Sequence, residues 1–262
     1  KTLQPDGPAY RAVIVYQESM ELTGAKKLLA IAKDGFPLLF VNNNTEIVAH
    51  DGTEIHHGKA ASVSKYLNDS DAELRSIVAE IKALPNVAEA DNPAEALTAL
   101  QTFGVTPRVA FGEANNKILT ISRRDDENMV FYTFAYSYKF ELEKDAGPYS
   151  FTLCIEGEGT PYRIDDWTGE VSRMGRYEVR NGRTCVPLTL EPGEARIIAL
   201  DLSNSDKLHA VSTTAEDIRV KDGMLQVMAL DTGKYETVLS SGEKIVAGIR
   251  VPDAIPLLRT VS

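Results

Sequence analysis

The stretch YRAVIVYQESMELTGAKKLLAIAKDGFPLLFVNN, residues 10–43, decides the fold of the first part of the chain. YRAVIVYQ is a short apolar, β-branched run and reads as a strand. In ELTGAKKLLAIAKDG, Leu22, Leu28, Leu29 and Ala32 fall at helical spacing, and Gly35 stops the helix. FPLLFVNN then reads as a second, buried strand. Further along, DAELRSIVAEIKALP places Leu74, Ile77, Val78 and Ile81 on one helical face, and NVAEAD is a short third strand. NPAEALTALQTFG adds a helix with Asn92 as N-cap, Pro93 in its first turn and Gly104 as its stop. Strands that alternate with helices predict a parallel sheet covered on both faces, because parallel strands need crossovers. Residues 1–110 are therefore expected to form an α/β domain of flavodoxin-like proportions.

After Pro107 the pattern changes. KILTISRRDDENMVFYTFAYSYKFELEKDAGPYSFTLCIEG alternates apolar and polar positions, with aromatic pairs and Gly-Pro punctuation, and so reads as antiparallel β. In RYEVRNGRTCVPLTL, Asn181-Gly182 between two alternating runs is a strong hairpin signal. LEPGEARIIAL turns at Pro192-Gly193 into a further buried strand, and later turns fall at Asp222-Gly223, Thr232-Gly233 and Ser241-Gly242. Residues 111–202 are expected as an antiparallel β-sandwich. Residues 203–262 read as a further β segment, the start of a sugar-binding-type sandwich.

Composition excludes more than it selects. Among 262 residues, 43% hydrophobic and 25% charged suits a globular protein, and no apolar run reaches the roughly 18 residues that cross a bilayer. A membrane is not expected as a partner. The net charge of −10, with Lys and Arg scattered rather than striped, argues against nucleic acid and fits a neutral ligand such as carbohydrate. Cys154 and Cys185 have no further cysteine or histidine at ligand spacing, which argues against zinc. A disulfide and a pair of small buried hydrophobes both remain open for them. Asn43 in NNT and Asn68 in NDS match the glycosylation acceptor and, with the cysteines, favour a secreted protein. The opening on Lys1, entering a strand almost at once, reads like the interior of something longer.

The search for chemistry assigns no catalytic residue, no metal ligand and no cofactor. The turn after the first strand, VYQESMELTG, lacks a glycine-rich phosphate cradle, and Gln17, Glu18 and Ser19 read as loop residues before they read as ligand contacts. The order of strands and helices resembles the glutamine-amidotransferase-like domain. Its cysteine elbow is missing, since Cys154 in FTLCIEG and Cys185 in GRTCVPL both fall in the β region. His56 and His57, with Asp51 and Glu54 nearby, are the only local His/carboxylate cluster; neighbouring residues on a strand face opposite ways, so a solvated loop is favoured over a metal site. His50 and His209 read as surface or packing residues. Asp165, Asp166, Glu170, Glu156 and Glu158 crowd a turn and read as turn carboxylates ahead of a glycosidic acid–base pair. Trp167 either stacks on sugar or caps a core, with burial slightly favoured. Trp167, Tyr162, Tyr177 and Arg163 are the candidate carbohydrate-binding surface.

ILTISRR (118–124), DDWTGE (165–170) and VPLTLEPGEARIIAL (186–200) resemble a β segment of the α-L-rhamnosidases of glycoside hydrolase family 106. The α/β part, ending LQTFGVTPRVAF, is similar to the amidotransferase-like domain that follows the catalytic barrel there. The resemblance covers about residues 8–200. It implies a non-catalytic, accessory segment of a secreted glycoside hydrolase, whose partners are carbohydrate and the remaining domains of its own polypeptide. It also implies that the general acid, the general base and any calcium ligands lie in a preceding barrel, which these residues do not contain. Two other readings stand beside it: a stand-alone carbohydrate-binding or protein-interaction module, and a degenerate amidotransferase-like enzyme.

Overall fold

The computed structural model describes residue 3 and residues 9–47, 53–66, 70–113, 115, 117–125, 130–137, 148–205 and 207–252. Contacts divide the chain into two units, one running to Thr106 and one beginning at Pro107.

The first unit is α/β. Its elements are β1 (Val13–Val15), β2 (Ser19–Met20), α1 (Leu22–Lys33), β3 (Leu38–Val41), β4 (Thr45–Ile47), β5 (Glu54–His56), β6 (Val63–Ser64), α2 (Asp71–Lys82), β7 (Val87–Ala90) and α3 (Pro93–Thr102). β1, β3 and β7 pair in parallel in that order, with β3 in the centre. Both crossovers step the same way across the sheet, and right-handed crossovers then put α1 and α2 on one face. There Leu38 and Phe40 pack with Ala25, Leu74, Val78 and Ile81. Leu39 and Val41 face the other way, into a smaller core with Ala96, Ala99 and Leu100 of α3. All four residues of β3 are buried, which is why LLFV shows no polar alternation. The caps follow their local chemistry. Ser70 accepts a hydrogen bond from the Glu73 amide at 3.3 Å, and Asn92 accepts one from the Glu95 amide at 3.0 Å.

The second unit is β-rich. Its strands are β8 (Val109–Phe111), β9 (Ile118–Arg124), β10 (Val130–Ser137), β11 (Tyr149–Glu156), β12 (Thr160–Ile164), β13 (Val171–Arg173), β14 (Glu178–Arg180), β15 (Arg183–Leu190) and β16 (Ala195–Asp201). They are followed by β17 (Ala210–Thr213), β18 (Asp217–Lys221), β19 (Met224–Met228), β20 (Gly233–Leu239) and β21 (Lys244–Ile249). A five-stranded antiparallel sheet, β13-β12-β16-β10-β9, and a four-stranded one, β14-β15-β11-β8, close on a shared core. The first contributes Ile118, Ile198 and Leu200; the second contributes Leu153, Ile155 and Leu190. Asn181 and Gly182, at φ 52° and 72°, form the two-residue bend between β14 and β15.

The strands from β17 onward build two small sheets around Ala210, Ile218 and Leu239. They meet the sandwich at Gly175, where an added Cβ would lie 2.5 Å from the Ile218 carbonyl oxygen. Glycine is required there by close approach of two backbones.

Candidate functional site

Asp165 builds an exposed turn of the sandwich. Its Oδ1 accepts from the Trp167 amide (3.1 Å), the Thr168 amide (2.8 Å) and the Thr168 hydroxyl (2.9 Å). Gly169, at φ 72°, donates its amide to the Asp165 carbonyl, and the Asp165 amide donates to the Glu170 carbonyl, both at 2.9 Å. The turn between β12 and β13 is thus locked by one carboxylate. Those hydrogen bonds, first the Thr168 amide, then its hydroxyl, then the Trp167 amide, hold the Asp165 pKa below the ordinary carboxylate value. This carboxylate is a structural acceptor at neutral pH. Beside it, Trp167 is 92% exposed. Of the two orientations open to it, the structure adopts the one facing solvent, against the slight preference for burial drawn from the sequence. The cause is the Asx turn, which points the residue away from both sheets.

The other three members of the expected surface do not assemble around Trp167. Tyr162 and Arg163 are consecutive on β12 and so present to opposite faces. Arg163 is exposed near Asp165, and its positive charge contributes to the lowered Asp165 pKa. Tyr177 is 0% exposed and is corrected from a surface to a core residue. Its ring stacks on His209 with centroids 3.6 Å apart and planes at 15°. Burial raises the Tyr177 pKa and lowers that of His209, whose Nδ1 lies 2.7 Å from the Lys207 carbonyl. Asp166, Glu158 and Glu170 are exposed.

Cys154 and Cys185 occupy directly paired positions on β11 and β15 and are joined as a disulfide, with Cα atoms 4.0 Å apart. Both are buried. The chain contains two cysteines, so neither is available as a thiol nucleophile. Asn43 is exposed, at φ 51°, two residues past the end of β3. Asn68, His50 and Asp51 lie outside the described residues.

Open parallel sheets take ligands beyond the carboxyl ends of their strands, and two concavities open there in the first unit. One, of about 330 Å³, is lined by Gln17, Glu18, Ser19, His57 and Val63. The other, of about 390 Å³, is mostly apolar, with Ile14, Tyr16, Val41, Leu97 and Leu100 among its walls. His57 Nε2 lies 3.2 Å from Glu46 Oε2, and its ring meets Tyr16 edge-on at 5.8 Å. His56 instead lies 3.0 Å from the Thr45 hydroxyl, so the two histidines have separate partners. Among the described residues, no group of three His, Cys, Asp or Glu side chains gathers as a metal site.

Asn42 escaped the sequence reading. Its Oδ1 accepts from the Ala60 amide and its Nδ2 donates to Asp91 Oδ1, both at 3.1 Å. It ties the loop over the polar concavity to the end of β7. The available signal was a polar residue directly after a wholly apolar central strand. Glu18 likewise accepts from the Gly58 amide, closing the same loop from the other side.

Fold and site together define a class: an α/β unit followed by a larger β-sandwich unit that displays one exposed indole on a locked hairpin. No family model matches the sequence, and no curated protein matches it. Among solved structures, the rhamnosidase from Novosphingobium sp. PP1Y is similar at TM-score 0.48 and 20% identity, over 77% of this chain and 19% of that one. The apo exo-carrageenase GH42 from Bacteroides ovatus is similar at TM-score 0.42 and 9% identity, over 75% of this chain and 23% of that one. The chain thus spans about a fifth of the length of each. No helix among the described residues is long and apolar enough to cross a membrane.

Proposed function

We propose that this chain is an accessory, non-catalytic segment of a secreted carbohydrate-active protein of the rhamnosidase-like glycoside hydrolase type. In this reading the catalytic barrel, with any calcium it holds, belongs to another part of the same polypeptide. The observation that carries the proposal is Trp167, an indole 92% exposed on a turn whose backbone is fixed by Asp165. A flat aromatic face carried on a fixed backbone turn and open to water suits the C–H faces of a sugar ring. Further support comes from where the family-like segments fall. ILTISRR is β9, DDWTGE is the Trp167 turn, and VPLTLEPGEARIIAL runs from β15 of the four-stranded sheet into β16 of the five-stranded one. The buried disulfide suits an oxidising, extracellular compartment. The amidotransferase-like ancestry of the first unit is part of the same proposal, in a form without its nucleophile.

Trp167 is the sole tryptophan, so intrinsic fluorescence reports on this residue alone. The expected result is a saturable change in emission when rhamnose-containing oligosaccharides are added to the complete encoded polypeptide, with weaker binding after Trp167→Ala by calorimetry. No response in either the complete polypeptide or this chain overturns the reading. A response of this chain alone, together with a reading frame that starts near Lys1, favours the stand-alone carbohydrate-binding module instead.

A further inference from the structure

An antiparallel sheet in a sandwich ordinarily turns one face to the core and a polar face to water. The five-stranded sheet does not. On the face opposite Ile198 and Leu200, one cross-strand row joins Val171, Ile164 and Ile197 as successive register partners and, across the backbone of β10, ends on Ile121. Each is a large apolar residue. Beside it, Leu119 holds the next position outward on β9, and Ala195 the next on β16. The side chains at the two ends of the row are open, Val171 59% and Ile121 57% exposed, as is Leu119 beside it at 56%.

Charge on this face is one-sided. The flanking row ends on Arg123 at one edge and Arg173 at the other, with Tyr162 and Ala199 among the positions between them. None of these positions is acidic, in a chain whose net charge is −10. The following row, which contains Asp201, is closed off. Thr160 is buried there and donates to the Asn204 carbonyl, while Asp201 accepts from the Ser203 amide at 3.0 Å.

We propose that this face docks a neighbouring domain of the same polypeptide, one that presents an apolar surface with carboxylates set to meet Arg123 and Arg173. The inference rests on the reading of the chain as a segment of a larger protein and names the surface through which it attaches. Size and chemistry select this occupant. Five strands at about 4.8 Å spacing and three rows give roughly 20 Å by 15–20 Å, on the order of 400 Å². That is about half of what one partner in a standard two-body complex buries. A tethered domain needs less, because the linker supplies a high effective concentration. Branched aliphatic side chains also suit a protein surface better than a sugar, which favours flat rings.

The test is hydroxyl-radical footprinting of this chain beside the complete encoded polypeptide. Leu119, Ile121 and Val171 are expected to be modified several-fold more slowly in the complete polypeptide. Ile121→Glu is expected to lower the melting temperature of the complete polypeptide and leave that of this chain unchanged. Equal modification in both forms, with a further domain present, overturns the docking inference and leaves the accessory reading standing. A reading frame that encodes no further domain overturns both. Sedimentation of this chain as a dimer that Ile121→Glu dissociates, or protection of the three residues by a saccharide alone, overturns the inference in favour of that occupant.

Discussion

Tyr177 and Trp167 exchange the roles that their neighbourhoods in sequence suggest. Tyr177 follows Arg176 in a polar stretch, yet it is covered by His209 from more than thirty residues away, a contact that no local pattern encodes. Trp167 looks like a core residue by composition, and a three-residue Asx turn sends it outward. Burial of Tyr177 depended on which strands meet, whereas the Asp165 turn was legible because its chemistry is contained within six residues. The same neighbourhood gives a pH dependence. The His209 pKa is lowered chiefly by burial, with Arg173 adding to the effect, so below about pH 6.5 the unfolded chain binds a proton that the folded chain does not. Stability is expected to fall as pH drops below that value and to level off below the depressed one, as urea midpoints will show; His209→Gln should flatten the slope. Gly175→Ala forces a methyl group against the Ile218 backbone and is expected to cost about 1–3 kcal/mol in the same assay.

Elements were read from their punctuation. Asn92, Pro93 and Gly104 mark α3 because caps act within one turn, and Asn92→Ala is expected to cost about 1 kcal/mol by chemical denaturation. The bend at Asn181-Gly182 was equally clear. Gly182 has open space around its missing Cβ, so Gly182→Ala tests backbone conformation alone, at an expected cost of about 1–2 kcal/mol. Pairing between distant strands was not legible. β8 joins β11 across some forty residues, and β16 inserts between β10 and β12, choices made by the shared core rather than by any turn. The alternation in ILTISRR announced a strand with two faces. It could not announce that Leu119 and Ile121 would lie on the face turned away from the core, since that depends on how the other strands line up in register.

At the scale of the whole molecule, the change from helical to alternating periodicity near Pro107 coincides with the division between the two units. This much was legible because hydrophobic period is a property of the chain itself. The disulfide was one of two open readings, as spacing alone cannot bring Cys154 opposite Cys185. Closing a loop of 31 residues, it is expected to stabilise the second unit by roughly 3–4 kcal/mol, which thermal melts with and without reductant will measure. It has a further consequence for the exposed hairpin. The Trp167 turn lies inside the covalent ring that Cys154 and Cys185 close, and solvent-facing loop tips are where proteases cut. A single cleavage between Asp166 and Glu170 would therefore leave one covalent molecule of nearly unchanged mass, with the two fragments separating only when the bond is reduced.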